Sequence, residues 1–85
     1  MYELYIKRSA EKDLHRLPHK AFDRVNAAIL ALREDPGPHG VEKLGGGEGW
    51  RIRVGTYRVI YAIDDEARQV MVHRVRHRKD AYRRF

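Results

Sequence analysis

The chain has 85 residues, which predicts one domain over residues 1–85; a domain this small buries only about 60% of the surface that its unfolded chain exposes. It contains no cysteine, which excludes disulfides, thiolate metal sites and a cysteine nucleophile. The 18 Lys and Arg residues outnumber the 12 Asp and Glu residues, and residues 67–85 alone carry seven basic groups against one acidic group. This charge, most of it arginine, indicates nucleic acid, an anionic lipid surface or an acidic protein as partner; the alternative is a compositional bias toward arginine.

The first third of the sequence predicts a strand and two helices. Tyr2–Lys7 alternates between apolar and polar residues, which is typical of a strand. A short helix follows with Ser9 as its N-cap and ends before Pro18, and a second helix runs from His19 to Glu34. The apolar stripes comprise Ala10, Leu14 and Leu17 in the first helix and Phe22, Val25, Ile29 and Leu32 in the second.

The remainder predicts strands. Val41–Leu44 is a short strand or the approach to one, and the glycine-rich residues 45–49 form a loop that lacks the ending of a phosphate-binding P-loop. After the hairpin at residues 50–61, a turn at Asp64–Ala67 leads to a last strand, Arg68–Arg76, which places His73 across from Arg58. The order βααβββ predicts an α+β fold, with a mainly antiparallel sheet covered on one face by a helical hairpin.

The predicted hairpin carries three arginines on one face. Trp50–Val54 and Tyr57–Tyr61 alternate and flank a Gly-Thr pair that suits a type II′ turn. In this register Arg53 faces Arg58, and Arg51 lies on the same side because side chains alternate along a strand. Like charges directly opposite each other destabilise a sheet, so an anionic ligand is the functional explanation; a solvated polar face is the alternative.

Two segments, Trp50–Tyr61 and Val72–Tyr82, resemble the RelE/ParE superfamily of type II toxins. The resemblance extends over nearly the whole chain, including its length and the helical hairpin after the first strand. It implies a small α+β domain with a twisted antiparallel sheet, in agreement with the element order. It also implies a toxin that an antitoxin encoded beside it holds inactive.

Within that superfamily, the RelE branch cleaves messenger RNA in the ribosomal A site without a metal, whereas the ParE branch inhibits DNA gyrase and generally lacks the RNase residues. The RelE motifs match this chain at the implied catalytic positions Arg51, Arg53, Arg58, Arg78 and Tyr82. His77 is a further candidate acid or base, because it lies in the matching motif and histidine titrates near neutral pH. The basic residues expected to bind RNA are Arg74, Arg76, Lys79, Arg83 and Arg84.

This set of basic and aromatic residues favours the RelE branch and an RNA endonuclease activity that uses the substrate's own 2′-hydroxyl. No cofactor is expected, and no metal site, because the histidines show no metal-ligand spacing. Two positions depart from the family pattern: the best-studied RelE enzymes have Lys at Arg51 and Arg53, and many members have Gly at Arg76. Since arginine stays protonated, it is a poor general base, so either the proton acceptor lies elsewhere or the enzyme is a slow one.

The resemblance implies a cognate RelB-like antitoxin, the ribosome and messenger RNA as partners. It further implies a toxin–antitoxin complex that is heterotetrameric or larger and binds its own operator DNA. Residues 1–7 predict no signal peptide and no later segment predicts a membrane span, so we expect a cytoplasmic protein without membrane contact. Two alternatives stay open: a ParE-like gyrase inhibitor, and a catalytically weakened member that acts mainly as an antitoxin partner or co-repressor.

Overall fold

The structure is a computed structural model, and it describes residues 1–37, 41–43 and 49–77. The elements in chain order are β1 (Glu3–Ile6), α1 (Arg8–His15), α2 (His19–Ala31), β2 (Glu42–Lys43), β3 (Trp50–Val54), β4 (Tyr57–Asp64) and β5 (Gln69–His77). The predicted α+β class is confirmed. The segment that was expected to be a strand or its approach forms the two-residue strand β2, so four strands follow the helices.

The five strands form one mixed sheet in the order β1-β5-β4-β3-β2. β1 pairs with β5 in parallel, and the other three pairings are antiparallel. The sheet is therefore mainly antiparallel, as predicted, and the last strand in the chain lies inside it between β1 and β4. This arrangement brings β5 next to the strand that carries Arg58.

Both helices pack on the same face of the sheet. Each predicted helical stripe contributes to the core, because residues three and four apart lie on one side of a helix. The buried apolar side chains are Ala10, Leu14, Val25, Ile29, Leu32, Ile52, Val59, Tyr61, Val70, Val72 and Val75. Since strand side chains alternate, the opposite face of β3 and β4 is left for polar and charged residues. Within the described ranges, no helix is both long and apolar enough to cross a bilayer.

Tyr61 is the largest fully buried side chain among the described residues. Its hydroxyl donates a hydrogen bond of 2.6 Å to the carbonyl of Pro36, which follows α2. Burial, together with the charge of Asp35, raises the pKa of Tyr61 to about 12. This bond ties the loop after α2 to the centre of the sheet.

Two predicted helix ends were wrong. Lys7, and not Ser9, occupies the N-cap of α1, because Ser9 instead uses its hydroxyl to bond β5. α2 ends at Ala31 rather than Glu34. There the backbone changes to tighter i→i+3 bonds, with the N–H of Leu32 bonded to the carbonyl of Ile29 at 3.0 Å.

Candidate functional site

The hairpin of β3 and β4 has the predicted register, with Arg53 opposite Arg58 and Arg51 opposite Ile60. Gly55 has a φ of +62°, and Arg68 is the one described non-glycine residue with positive φ. A positive φ at the first central position alone is the mark of a type II′ turn, as expected from the Gly-Thr pair. Arg51, Arg53 and Arg58 therefore share one side of the sheet, which we call the arginine face.

The three arginines of the arginine face differ in how far they are exposed to solvent. The side chain of Arg53 is 60% exposed and that of Arg51 is 26% exposed, whereas Arg58 as a whole residue is only 4% exposed. Arg53 is therefore the cation that an incoming anion meets first, and Arg58 lies at the base of the patch.

β5 adds Arg76 to this face, because Arg76 pairs with Arg58. The prediction that His73 lies across from Arg58 was wrong for two reasons. The turn falls one residue later, between Asp64 and Gln69, and β5 contains a bulge opposite Ile60 and Tyr61. Moving the turn by one residue shifts the pairing by two positions, and the bulge adds a third, so Arg58 pairs with Arg76 instead of His73.

Glu42 is a residue of the site that the sequence reasoning missed. It pairs with Arg51 across β2 and β3, and its carboxylate accepts a 2.8 Å hydrogen bond from the Nη2 of Arg51. Its other oxygen lies 3.5 Å from the Nη2 of Arg53. The hydrogen bond and charge of Arg51, with smaller contributions from Arg53 and Arg58, hold the pKa of Glu42 below its ordinary value. An internal anion thus already occupies part of the arginine face.

His77 lies on the other side of the sheet. It pairs with Tyr57, and the two rings meet edge to face with centroids 5.2 Å apart. Both residues line a cleft of about 240 Å³ at the end of β5, which also includes Arg76 and Arg16. The structure therefore separates His77 from the arginine face while placing it on the same cleft as Arg76.

Arg74 is held by helix α1. Its Nε and Nη2 donate bonds of 2.8 and 3.1 Å to the two carboxylate oxygens of Asp13, which also accepts a 2.9 Å bond from the N–H of Val75. Desolvation raises the pKa of Asp13, but the bonds from Arg74 and Val75 and the charges of Arg74 and Arg76 outweigh it. The net pKa is lower than usual.

His73 lies at the bulge, where burial and the charge of Lys7 lower its pKa. The remaining predicted site residues, which lie outside the described residues, are Arg78, Lys79, Tyr82, Arg83 and Arg84. In the part of the chain that the structure describes, no three His, Cys, Asp or Glu side chains are grouped to hold a metal ion.

A cluster of guanidinium groups on a sheet face suits a phosphodiester, because arginine binds phosphate oxygens through two parallel bonds. Comparisons with known proteins identify the family of the chain. A family model described as the ParE toxin of a type II toxin–antitoxin system matches residues 4–82. The chain is 37% identical to Toxin RelG of Mycobacterium tuberculosis, over 98% of both proteins.

Solved structures of RelE toxins and their complexes are also similar to this chain. The RelBE2 toxin–antitoxin complex of M. tuberculosis superposes with a TM-score of 0.80 at 32% identity, covering 91% of this chain and 98% of that one. The RelE–RelB complex of Pyrococcus horikoshii gives 0.80 at 29% identity, covering 91% and 94%. The isolated E. coli RelE toxin, at 22% identity and a TM-score of 0.78, shares the fold over 91% of this chain and 84% of its own. The chain therefore belongs to the RelE/ParE superfamily of type II toxin–antitoxin toxins.

Proposed function

We propose that this protein is a RelE-type toxin, an RNA endonuclease that cleaves messenger RNA in the ribosomal A site and so inhibits translation. The observation that carries the proposal is the arginine face, to which β5 adds Arg76 opposite Arg58. Like charges directly opposed across strands destabilise a sheet, so their presence is best explained by a polyanionic substrate. A gyrase inhibitor has no evident need for this cluster.

In the proposed reaction, the 2′-oxygen of the substrate attacks the adjacent phosphorus and the 5′-oxygen leaves. The products are a 2′,3′-cyclic phosphate and a 5′-hydroxyl end. The phosphorane carries an extra negative charge, which Arg51, Arg53 and Arg58 would stabilise electrostatically. We expect Arg78 to add to this charge stabilisation, and Tyr82 to stack on a base or take part in proton transfer.

The proton acceptor is the part of the site that arginine cannot supply. His77 is the candidate, because an imidazole can accept a proton and this residue shares the cleft at the end of β5 with Arg76. An RNA strand that passes around this end of the sheet would contact both His77 and Arg76. This route requires no cofactor and no metal.

Glu42 gives the proposed site a built-in competitor for phosphate. Its carboxylate bonds Arg51 at 2.8 Å and lies near Arg53, so a substrate phosphate would displace it to bind the same guanidinium groups. We therefore expect Glu42 to weaken the binding of RNA.

We further propose that the toxin is held by a cognate RelB-like antitoxin. Similar solved structures are RelB–RelE complexes, and the seven basic groups against one acidic group in residues 67–85 favour an acidic antitoxin segment. The proposal includes a heterotetrameric or larger complex on operator DNA. It also includes a cytoplasmic location, where ribosomes and messenger RNA are found.

Toe-printing on programmed ribosomes tests the activity. Arg53→Ala is expected to keep the fold because the side chain is exposed, whereas Arg58→Ala and Arg78→Ala test the deeper and terminal cations. Each should reduce cleavage by about 10²–10³-fold, the effect of removing one stabilising donor from a transition state. Arg33→Gln, an exposed arginine beyond α2, is the control and should cleave normally. Unchanged cleavage in all three variants would refute the assignment of the site.

The ends of the products test the mechanism. Cleavage by the 2′-hydroxyl should leave 5′-hydroxyl ends, and a single 2′-deoxy substitution at the scissile nucleotide should abolish it. Products with 5′-phosphates, or cleavage of the 2′-deoxy substrate, would contradict this route.

Inhibition of DNA gyrase is the second candidate, and the family model that matches residues 4–82 carries the ParE description. A supercoiling assay with purified gyrase separates the two candidates. Inhibition of supercoiling without ribosomal cleavage would favour the ParE-like function. If the protein neither cleaves messenger RNA nor inhibits gyrase, a weakened member that acts mainly as an antitoxin partner or co-repressor is favoured.

A further inference from the structure

Strand β5 contains one residue more than its partner strand can pair. Tyr61 pairs with Val72, but the next residue along β4, Ile60, pairs with Arg74, so His73 is bulged out of the β4–β5 ladder. A bulge of this kind reverses which face the following side chains occupy. Without it, Val75 would lie across from Arg58 in place of Arg76.

The bulge therefore decides the composition of both faces of the sheet. In the observed register Val75 pairs with Val59 and is buried in the core, while Arg76 lies on the arginine face. In the register without a bulge, Arg74 and Arg76 would turn toward the helices. The placement of Arg76 next to Arg58 thus depends on a single irregular residue.

Helix α1 contacts the backbone on both sides of Arg74. The hydroxyl of Ser9 donates a 2.8 Å bond to the carbonyl of His73, and the carboxylate of Asp13 accepts a 2.9 Å bond from the N–H of Val75. Ser9 and Asp13 are four residues apart and so lie on the same side of the helix. Their spacing matches the two backbone groups that the bulge presents at the edge of β5.

Asp13 also binds the side chain of Arg74 through both of its oxygens, at 2.8 and 3.1 Å. Only 9% of Asp13 is exposed, and paired two-bond contacts of this type are strong and geometrically specific. The same carboxylate thus fixes a side chain and a backbone amide of adjacent residues, which limits the freedom of the bulge.

We propose that Asp13, assisted by Ser9, is a positioning residue that fixes the bulge at His73 and thereby places Arg76 across from Arg58. This assigns a role in the site to helix α1, which contributes no residue to the arginine face. The effect on strand register stands by itself, whereas the effect on catalysis rests on the proposed function.

Nuclear magnetic resonance tests the register directly. In the unaltered protein, backbone cross-strand contacts should connect Arg58 with Arg76. In Asp13→Ala, and more so with Ser9→Ala added, these contacts should weaken and residues 73–77 should show exchange broadening. Glu11→Gln, an exposed carboxylate on the same helix, is the control and should leave them unchanged.

Asp13→Asn keeps the shape of the side chain and guards against loss of the fold. It retains an oxygen for Val75 but not the charge for Arg74, so it should give an intermediate effect. Intact cross-strand contacts without broadening in Asp13→Ala would overturn the proposal, as would equal broadening in the control variant.

A double-mutant cycle with Arg76→Ala tests the catalytic consequence. Asp13→Ala should lower the cleavage rate at saturating ribosomes by roughly ten- to hundredfold, as small misplacements of reacting groups do. In the Arg76→Ala background, the same change should have little further effect, because the two residues act through one arrangement. If the two substitutions lower the cleavage rate by factors that multiply in the double variant, the proposed link between Asp13 and Arg76 is overturned. If the unaltered protein does not cleave messenger RNA, the proposed function fails while the register experiment still decides the role of Asp13.

Discussion

Replacing Arg53 by glutamine should stabilise the protein while impairing its proposed activity. Arg53 lies directly opposite Arg58, with Arg51 and Arg76 on the same face. Glutamine keeps the length and hydrogen-bonding capacity of the side chain but removes the charge. The change should therefore relieve repulsion without opening a cavity, since the Arg53 side chain is 60% exposed.

The gain in stability expected for Arg53→Gln follows from the pairing of Arg53 with Arg58. Directly opposed residues in antiparallel strands have Cβ atoms about 4.5–5.5 Å apart, and charge pairs at this distance contribute about 0.2–1 kcal/mol. The contact between Arg53 and Glu42 that is lost is 3.5 Å long and exposed, and Glu42 keeps its 2.8 Å bond from Arg51. A gain near 0.5 kcal/mol should remain, which corresponds to a rise in Tm of about 2–4 °C in a domain of this size.

Thermal unfolding by circular dichroism at low and high ionic strength measures this gain. In 1 M salt, where the Debye length is about 3 Å, the difference between Arg53→Gln and the unaltered protein should fall toward zero. Arg33→Gln, which removes an exposed arginine that contacts Met1 and not the arginine face, should show no such gain. A lower Tm for Arg53→Gln at low salt would refute the reasoning, because it would mean that the arginine face is already neutralised.

The remaining predictions concern three other residues. Tyr61→Phe removes the 2.6 Å bond to Pro36 and should lower the free energy of unfolding by about 1 kcal/mol in urea titration. Because the folded pKa of Tyr61 is raised to about 12 from 10.0, the stability that its protonated form provides should be lost between those pH values, and Tyr61→Phe should lack this loss. Glu42→Gln should tighten binding of a short RNA in fluorescence anisotropy, since Arg51 loses its internal anion; unchanged or weaker binding would contradict the competitor role. Gly55→Ala, at φ +62° and with its new Cβ 3.4 Å from the Nη1 of Arg24, should lower the free energy of unfolding by about 1–2 kcal/mol, and an unchanged value would exclude a strained turn.

The arginine face could be predicted from the sequence because its cause is local. Alternation within Trp50–Val54 and Tyr57–Tyr61, joined by a Gly-Thr turn, leaves one register that buries the apolar side chains. The helical stripes were predictable for the same reason, since the three- and four-residue spacing of apolar positions is a property of each segment alone.

The position of β5 could not be predicted, because its cause is tertiary. At the bulge, Ser9 donates a hydrogen bond to the carbonyl of His73 and Asp13 accepts one from the N–H of Val75, and both residues lie more than 50 residues earlier in the chain. Local propensity instead favoured Ser9 as a helix cap. Glu42 was missed because a two-residue strand gives no periodic signal, although its side chain lies over Arg51 once the β2–β3 pairing is known.

The position of β5 between β1 and β4 has a consequence for how the protein folds. Glu3 in β1 pairs with Gln69 in β5, so this parallel pairing closes a loop of nearly the whole described chain. Folds dominated by such non-local contacts form slowly, and a partly folded chain without β5 exposes the edges of β1 and β4. β5 completes the core and also brings Arg76 next to Arg58. A folding intermediate that lacks β5 therefore lacks part of the arginine face.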